Sequence, residues 1–231
     1  PSASHATPRA TSRVRGRKAR APTNRAAMAR ARAPARARPA AEDQDAVRIV
    51  GGEFRGRPLA APRSNDIRPT TDRTRESLFN ILAHAYPEAL DGTRVIELFA
   101  GTGAVGLEAL SRGASQVLFV ETSVEGRGLL RTNIETLGVQ GRAKIFRRDA
   151  TDLGAPGTMQ PFHFLFADPP YGKGLGEAAL DQCHRHGWLV PGALVILEER
   201  ADVDPVVGPS YVPLETRPFG DTRMHFYRHA S

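Results

Sequence analysis

The stretch that most restricts what this chain can become is V-I-E-L-F-A-G-T-G-A-V-G, Val95 to Gly106. A short, mostly apolar run stops at Gly101, Gly103 and Gly106, and a run of that kind reads as a strand buried on both faces. The pattern then repeats. Val117 to Glu121, Ala143 to Asp149, Phe162 to Asp168 and Leu194 to Glu199 are predicted as four further strands. Between them lie helical patterns over Ala104 to Arg112, Val124 to Leu137 and Glu177 to His186, the second carrying Leu129, Leu130, Ile134 and Leu137 at helical spacing. Strands alternating with helices specify an α/β chain with a parallel, doubly wound sheet. Tyr211 to Arg217 and Met224 to Arg228, split by Phe219-Gly220-Asp221, read as a closing antiparallel pair.

In such sheets ligands sit at the carboxyl ends of the strands. The glycine spacing after Phe99 and Ala100 is close to a dinucleotide fingerprint, in which glycines permit a tight turn and let the backbone approach the ligand. Two acids sharpen it. Glu121, twenty residues beyond Gly101, is placed to accept from ribose hydroxyls. Glu97, inside the first strand, suits a ligand that is cationic near the loop, whereas a pyrophosphate would be repelled there. S-adenosylmethionine, with its sulfonium and ammonium groups, therefore fits better than a nicotinamide dinucleotide. Asp149-Ala150, at the end of the third strand, is positioned for the adenine, Asp149 accepting from its amino group; a plain turn aspartate is the competing reading. A βαβ unit with a glycine turn and no ligand is the bland alternative for the whole loop.

A second strand end carries Asp168-Pro169-Pro170-Tyr171. The exocyclic amino group of a nucleobase is a poor nucleophile because its lone pair is delocalised into the ring. A carboxylate from Asp168 and the carbonyl of Pro169 accepting its two N–H bonds would localise that pair. The two prolines stiffen the loop and keep the acceptors preorganised. Tyr171 can stack on the base. Alone, D-P-P is more often a turn that leaves a strand.

The formal charge of +7 is unevenly distributed: residues 1–41 hold eleven of the 32 basic residues and no acid, leaving 21 basic against 25 acidic groups, −4, in the rest. The first 45 residues have almost no large apolar side chains and are expected to form a disordered basic tail, with an organelle transit peptide as another reading. Residues 46–72 follow as a hairpin turning at Gly51-Gly52, plus an RNA-contact segment, and 73–231 as the main domain. Its first helix is expected to be capped by Thr70, Thr71 or Asp72 and to bury Leu78, Phe79, Ile81 and Leu82. Val47 to Arg75 holds seven arginines against three acids, a second basic cluster that suggests a phosphate-bearing partner. Arg55, Arg57, Arg68, Arg73 and Arg75 are the candidate RNA contacts, with Lys173 on a mobile glycine-rich lip over Gly172 to Gly176. One cysteine, Cys183, excludes an intrachain disulfide and fits a reducing compartment. The histidines show no zinc spacing, so no metal is expected, and no apolar stretch is long enough to span a membrane.

On R-I-V-G-G-E-F-R-G-R-P-L, R-P-T-T-D-R-T-R-E-S-L-F-N-I-L, E-L-F-A-G-T-G-A-V-G-L-E-A-L-S-R-G-A and D-P-P-Y, the chain from Val47 onward resembles the RsmD family, bacterial 16S ribosomal RNA (guanine-N2)-methyltransferases. The long basic tail departs from the short N-terminus usual there. The resemblance implies a class I methyltransferase fold, Rossmann-like, with a seven-stranded doubly wound sheet whose last strand is antiparallel, behind a small N-terminal β-hairpin. It also implies S-adenosylmethionine as cofactor and, as partner, 16S rRNA within the 30S subunit or an assembly intermediate. A cytoplasmic monomer is the expected state. An adenine-N6 methyltransferase would use the same D-P-P-Y chemistry, and a non-catalytic RNA-binding assembly factor would keep the arginines without needing the cofactor.

Overall fold

Seven strands form one sheet in the order β3-β2-β1-β4-β5-β7-β6. The structure is a computed structural model and describes residues 47–62 and 71–230. The expected basic tail and Arg68 lie outside the described residues. In chain order the elements are α1 (Asp72–Ala85), β1 (Arg94–Leu98), α2 (Ala104–Ser111), β2 (Gln116–Val120), α3 (Val124–Leu137), β3 (Ala143–Phe146), β4 (Phe162–Ala167), α4 (Leu175–Arg185), β5 (Leu189–Arg200), β6 (Tyr211–Phe219) and β7 (Thr222–His229). The strands β1 to β5 run parallel, while β7 is antiparallel to both β5 and β6. The order reverses between β1 and β4, and that switch point opens a crevice at their carboxyl ends.

The continuous apolar character of β1, β2, β4 and β5 follows from their being covered on both faces. Val95, Val117, Phe119, Phe164, Phe166 and Ile196 pack with α1, α2, α3 and the N-terminal segment. Ile96, Leu98, Leu118, Leu165, Val195 and Leu197 form a second cluster with α4 and Trp188. Trp188 is fully buried and its indole N–H donates to the carbonyl of Gly154 at 2.7 Å, so it is core with a satisfied polar edge. All eight residues of α2 are buried, which explains why that helix has no polar stripe.

Three expectations need correction. The N-terminal hairpin does not turn tightly at Gly51-Gly52: one antiparallel bridge pairs Arg48 with Pro58, and the chain reverses through Gly51 to Gly56, the Gly56 N–H donating to the Ile49 carbonyl. A short ladder, the Ile49 N–H donating to the Arg57 carbonyl and the Leu59 N–H to the Val47 carbonyl, closes the segment, and α2 anchors its turn. Ser111 accepts the Glu53 N–H at its carbonyl and the Phe54 N–H at its hydroxyl, and a side chain at Gly52 would meet that same carbonyl at 1.9 Å. Ile81 of α1 is only half-buried, and the inward position belongs to Arg75 beside Leu78, Phe79 and Leu82. Finally, β5 starts five residues earlier than its apolar run, at Leu189, and takes Pro191-Gly192 into the strand opposite a register shift in β4.

Candidate active site

Because β1 and β4 are adjacent and in register, Leu98 opposite Ala167, the residues leaving the two strands are Phe99 and Asp168. The glycine loop and the D-P-P-Y loop thus begin side by side. Both face a cavity of about 1120 Å³ at the carboxyl edge of the sheet. That exceeds the roughly 300–1,000 Å³ of a pocket for one small ligand, so there is room for a nucleoside-sized molecule and a second group beside it.

The turn out of β1 is tight. Phe99 has φ 56° and is the one non-glycine residue at positive φ among those described, a strained conformation of the kind concentrated at functional loops. Gly103, at φ 73°, precedes α2, and a side chain there would come within 2.3 Å of Leu130. At Gly106 a side chain would strike Phe119 at 2.6 Å and the Glu97 carboxylate at 2.7 Å. The glycines therefore serve the approach of α2 to the sheet as much as the loop.

Glu97 is 4% exposed, and its Oε2 accepts the Gly106 N–H at 2.8 Å. Burial raises its pKa from 4.5 to about 8, against the lowering effect of the Gly106 and Val105 N–H groups and with a further push from Asp168. The Arg75 guanidinium draws it down slightly, and a cation in the cavity would lower it further. Glu121 accepts the Gly101 N–H at 2.7 Å through one oxygen and the Ser123 N–H at 2.6 Å through the other. It ties the glycine loop to the end of β2 and lines the cavity, and each oxygen has capacity for a second bond. Asp149 accepts the N–H and hydroxyl of Thr151 through Oδ1, the turn role weighed for it, and still lines the cavity with Ala150.

On the other side, Pro169 is buried against α4 where Gly176 leaves space for it, and Pro170 is exposed. The Tyr171 hydroxyl donates to Glu198 Oε1 at 3.3 Å and also hydrogen-bonds Asp168; burial and the two acids hold it well above its ordinary pKa. The expected mobile lip is shorter than Gly172 to Gly176, because Gly172 N–H is pinned to Glu199 at 2.9 Å and α4 begins at Leu175. Lys173 is exposed on what remains.

The arginines separate. Arg73 is exposed and lines the cavity mouth; Arg55 and Arg57 are exposed on the N-terminal segment, Arg57 donating to the Thr136 carbonyl at 2.5 Å. Arg75 is fully buried, donating to Asp72 at 2.6 Å and to the Arg48 carbonyl at 2.5 Å, which removes it from any surface RNA contact. It is the clamp between α1 and the N-terminal segment. Sequence reading overlooked three contributors: Arg148 at the mouth, the β6–β7 tip around Phe219 and Thr222, and Glu198, which lines the cavity from β5. An acid pair ending the apolar run A-L-V-I-L was the available signal for the last.

A family model described as Conserved hypothetical protein 95 matches residues 47–228. Ribosomal RNA small subunit methyltransferase D of Escherichia coli (strain K12) is 40% identical over 157 residues, 68% of this chain and 76% of that protein. The protein of the same name from Haemophilus influenzae is 33% identical over 79% of this chain and 93% of its own length. Among solved structures, yhhF from Escherichia coli superposes with a TM-score of 0.69 at 33% identity, covering 80% of this chain and 98% of that one. An RNA methyltransferase from Salinibacter ruber, in complex with S-adenosyl-L-homocysteine, shares the fold at 12% identity and a TM-score of 0.52. With a family model matching residues 47–228 and relatives at this identity, the chain belongs to the RsmD family.

Proposed function

We propose that this chain transfers a methyl group from S-adenosylmethionine to the exocyclic N2 of a guanine in 16S ribosomal RNA, met in the 30S subunit or an assembly intermediate. The β1–β4 register carries the reading, since it sets a loop suited to a cationic nucleoside beside an amino-group acceptor in one cavity. The relatives' names supply the small-subunit rRNA. Guanine N2 is what the RsmD resemblance implies.

The residues fit the cofactor. Glu97 offers a buried carboxylate to its positive charge, Glu121 its remaining lone pairs to the ribose, Asp149 its second oxygen to the adenine amino group, and Phe99, Ala100, Gly101 and Gly103 the wall. When bound, S-adenosylmethionine supplies an electrophilic methyl group carried on a sulfonium. The chain does the rest by placement. Tyr171 stacks on an unpaired or flipped guanine, Asp168 and the Pro169 carbonyl accept the two N2–H bonds, and Pro170 restricts the loop that holds them. The Asp168 carboxylate, or water, accepts the proton that N2 loses. Arg55, Arg57, Arg73 and Lys173 hold the RNA backbone, and a cytoplasmic monomer completes the reading.

The test is transfer of tritiated methyl to 30S particles lacking the modification. Asp168→Ala should lose at least ~100-fold in kcat while keeping cofactor affinity. Unchanged transfer by a variant that still binds cofactor refutes the role. Digestion of the product to nucleosides separates N2-methylguanosine from N6-methyladenosine.

A further inference from the structure

Beyond the D-P-P-Y loop, the cavity presents a second acceptor. β4 and β5 run parallel with Ala167 opposite Leu197, so the next residue on each strand is Asp168 and Glu198. Adjacent strands stand about 4.8 Å apart, which sets the two acids shoulder to shoulder at the edge of the sheet. Glu198 is 5% exposed, yet it lines the cavity. Its Oε1 accepts two hydroxyls, from Thr222 at 2.7 Å and from Tyr171 at 3.3 Å. The neighbouring Glu199 faces the other way and is occupied with the Gly172 and Arg200 N–H groups. The acid pair therefore divides: Glu199 fixes the loop, and Glu198 looks into the site.

Tyr171 shows what the neighbouring acids accept, because its hydroxyl bonds both Asp168 and Glu198. Guanine carries two adjacent donors on its Watson–Crick edge, N1–H and N2–H, and reading it takes two acceptors side by side. Adenine offers the amino donor, but its N1 is an acceptor and would oppose the second carboxylate oxygen. We propose that Glu198 is a specificity residue: it accepts the N1–H of the target guanine while Asp168 holds N2, the base replacing the Tyr171 hydroxyl between them as the tyrosine ring turns to stack. This deepens the guanine-N2 reading and rests on it. Thr222, from the β6–β7 tip, orients the carboxylate by donating to the same Oε1 at 2.7 Å.

The experiment uses 30S particles reconstituted with ligated 16S rRNA that carries either guanine or 2-aminopurine at the methyl-accepting nucleotide. The analogue keeps the 2-amino group but has no N1–H. Wild-type protein should favour guanine by about 100-fold in kcat/KM, the effect of leaving one buried acceptor unpaired. In Glu198→Gln, whose amide can donate to the bare N1 of the analogue, that ratio should fall to within about fivefold, with cofactor affinity by calorimetry unchanged. A wild-type ratio near one overturns the proposal without needing any variant, and so does a ratio that Glu198→Gln leaves intact. Failure of wild-type protein to methylate guanine at all refutes the underlying guanine-N2 reading, and this inference with it.

Discussion

Replacing Glu97 by Gln probes the charge at the floor of the cavity. Burial raises this carboxyl from 4.5 to about 8, so between those two values the folded protein keeps a proton that the unfolded chain has released. The native state thus binds more protons, and stability falls as pH rises across that window. What Glu97 contributes is fully present below the unfolded value and gone above the folded one. At ~1.36 kcal/mol per pH unit across that window the loss is on the order of 5 kcal/mol. Glutamine can still accept the Gly106 N–H but does not titrate, so the stability of Glu97→Gln should be flatter between pH 5 and 8 than wild type. Cofactor binding reads the same proton. A cation beside Glu97 favours its ionised form, so at pH 7 the wild-type protein should release nearly one proton on binding S-adenosylmethionine, with affinity rising up to ~10-fold per pH unit between 6 and 8. Calorimetry at pH 7 in two buffers of different ionisation enthalpy counts that proton directly. Glu97→Gln should release none. A wild-type count of zero, or affinity that is flat with pH in wild type, means that no cation sits beside this carboxyl.

Two further outcomes follow from packing and charge. Gly106→Ala drives a methyl group to 2.6 Å from Phe119 and 2.7 Å from Val117, so it should destabilise by about 1–3 kcal/mol and lower the melting temperature; an unchanged melt in scanning calorimetry means α2 has room to move. Arg75→Ala and Arg55→Ala should behave as opposites. The first removes a buried guanidinium from Asp72 and the Arg48 carbonyl, costing about 3 kcal/mol in denaturant titration while leaving the RNA affinity of folded protein intact. The second should leave stability within about 0.5 kcal/mol yet weaken RNA binding and reduce its salt slope by about 1, measured by filter binding over a salt series.

Parallel strands buried on both faces announce themselves as unbroken apolar runs, so β1, β2, β4 and the middle of β5 could be read from residue types alone, and with them the switch point and its loops. The strand ends are less legible, because Leu189 to Ala193 are held in β5 by Phe162 and the residues after it, neighbours remote in sequence. The fates of the arginines were invisible for the same reason. Arg73 and Arg75 are two residues apart and identical in type, but a two-residue step on a helix turns about 200°, and one reaches the cavity mouth while the other points inside. Glu198 was hidden differently. An acid at the end of an apolar strand looks like the strand's exit to solvent, and only the pairing with β4 reveals that its neighbour is Asp168.

The N-terminal segment connects the two halves of the proposed chemistry. Val47, Ile49, Phe54 and Leu59 are buried in the same core as α1 and α2, while Arg48, Arg55 and Arg57 between them stay exposed. The Ala60 N–H donates to the Asn133 side chain at 2.6 Å, and the amide of that same side chain donates to the carbonyl of Thr102 at 3.0 Å. One buried asparagine therefore spans from the arginine-bearing segment to the glycine loop. Removing it leaves a half-buried N–H and a buried carbonyl without partners, the carbonyl worth about 1–3 kcal/mol and the N–H less, so Asn133→Ala should cost about 2–4 kcal/mol. Its informative readout is elsewhere. Should the segment position the loop, the folded Asn133→Ala protein binds S-adenosylmethionine more weakly although residue 133 lies outside the cavity lining. Cofactor affinity equal to wild type, measured below the melting transition, would make Asn133 a packing residue and leave the glycine loop to its bonds with Glu121, Glu97 and the Val120 carbonyl.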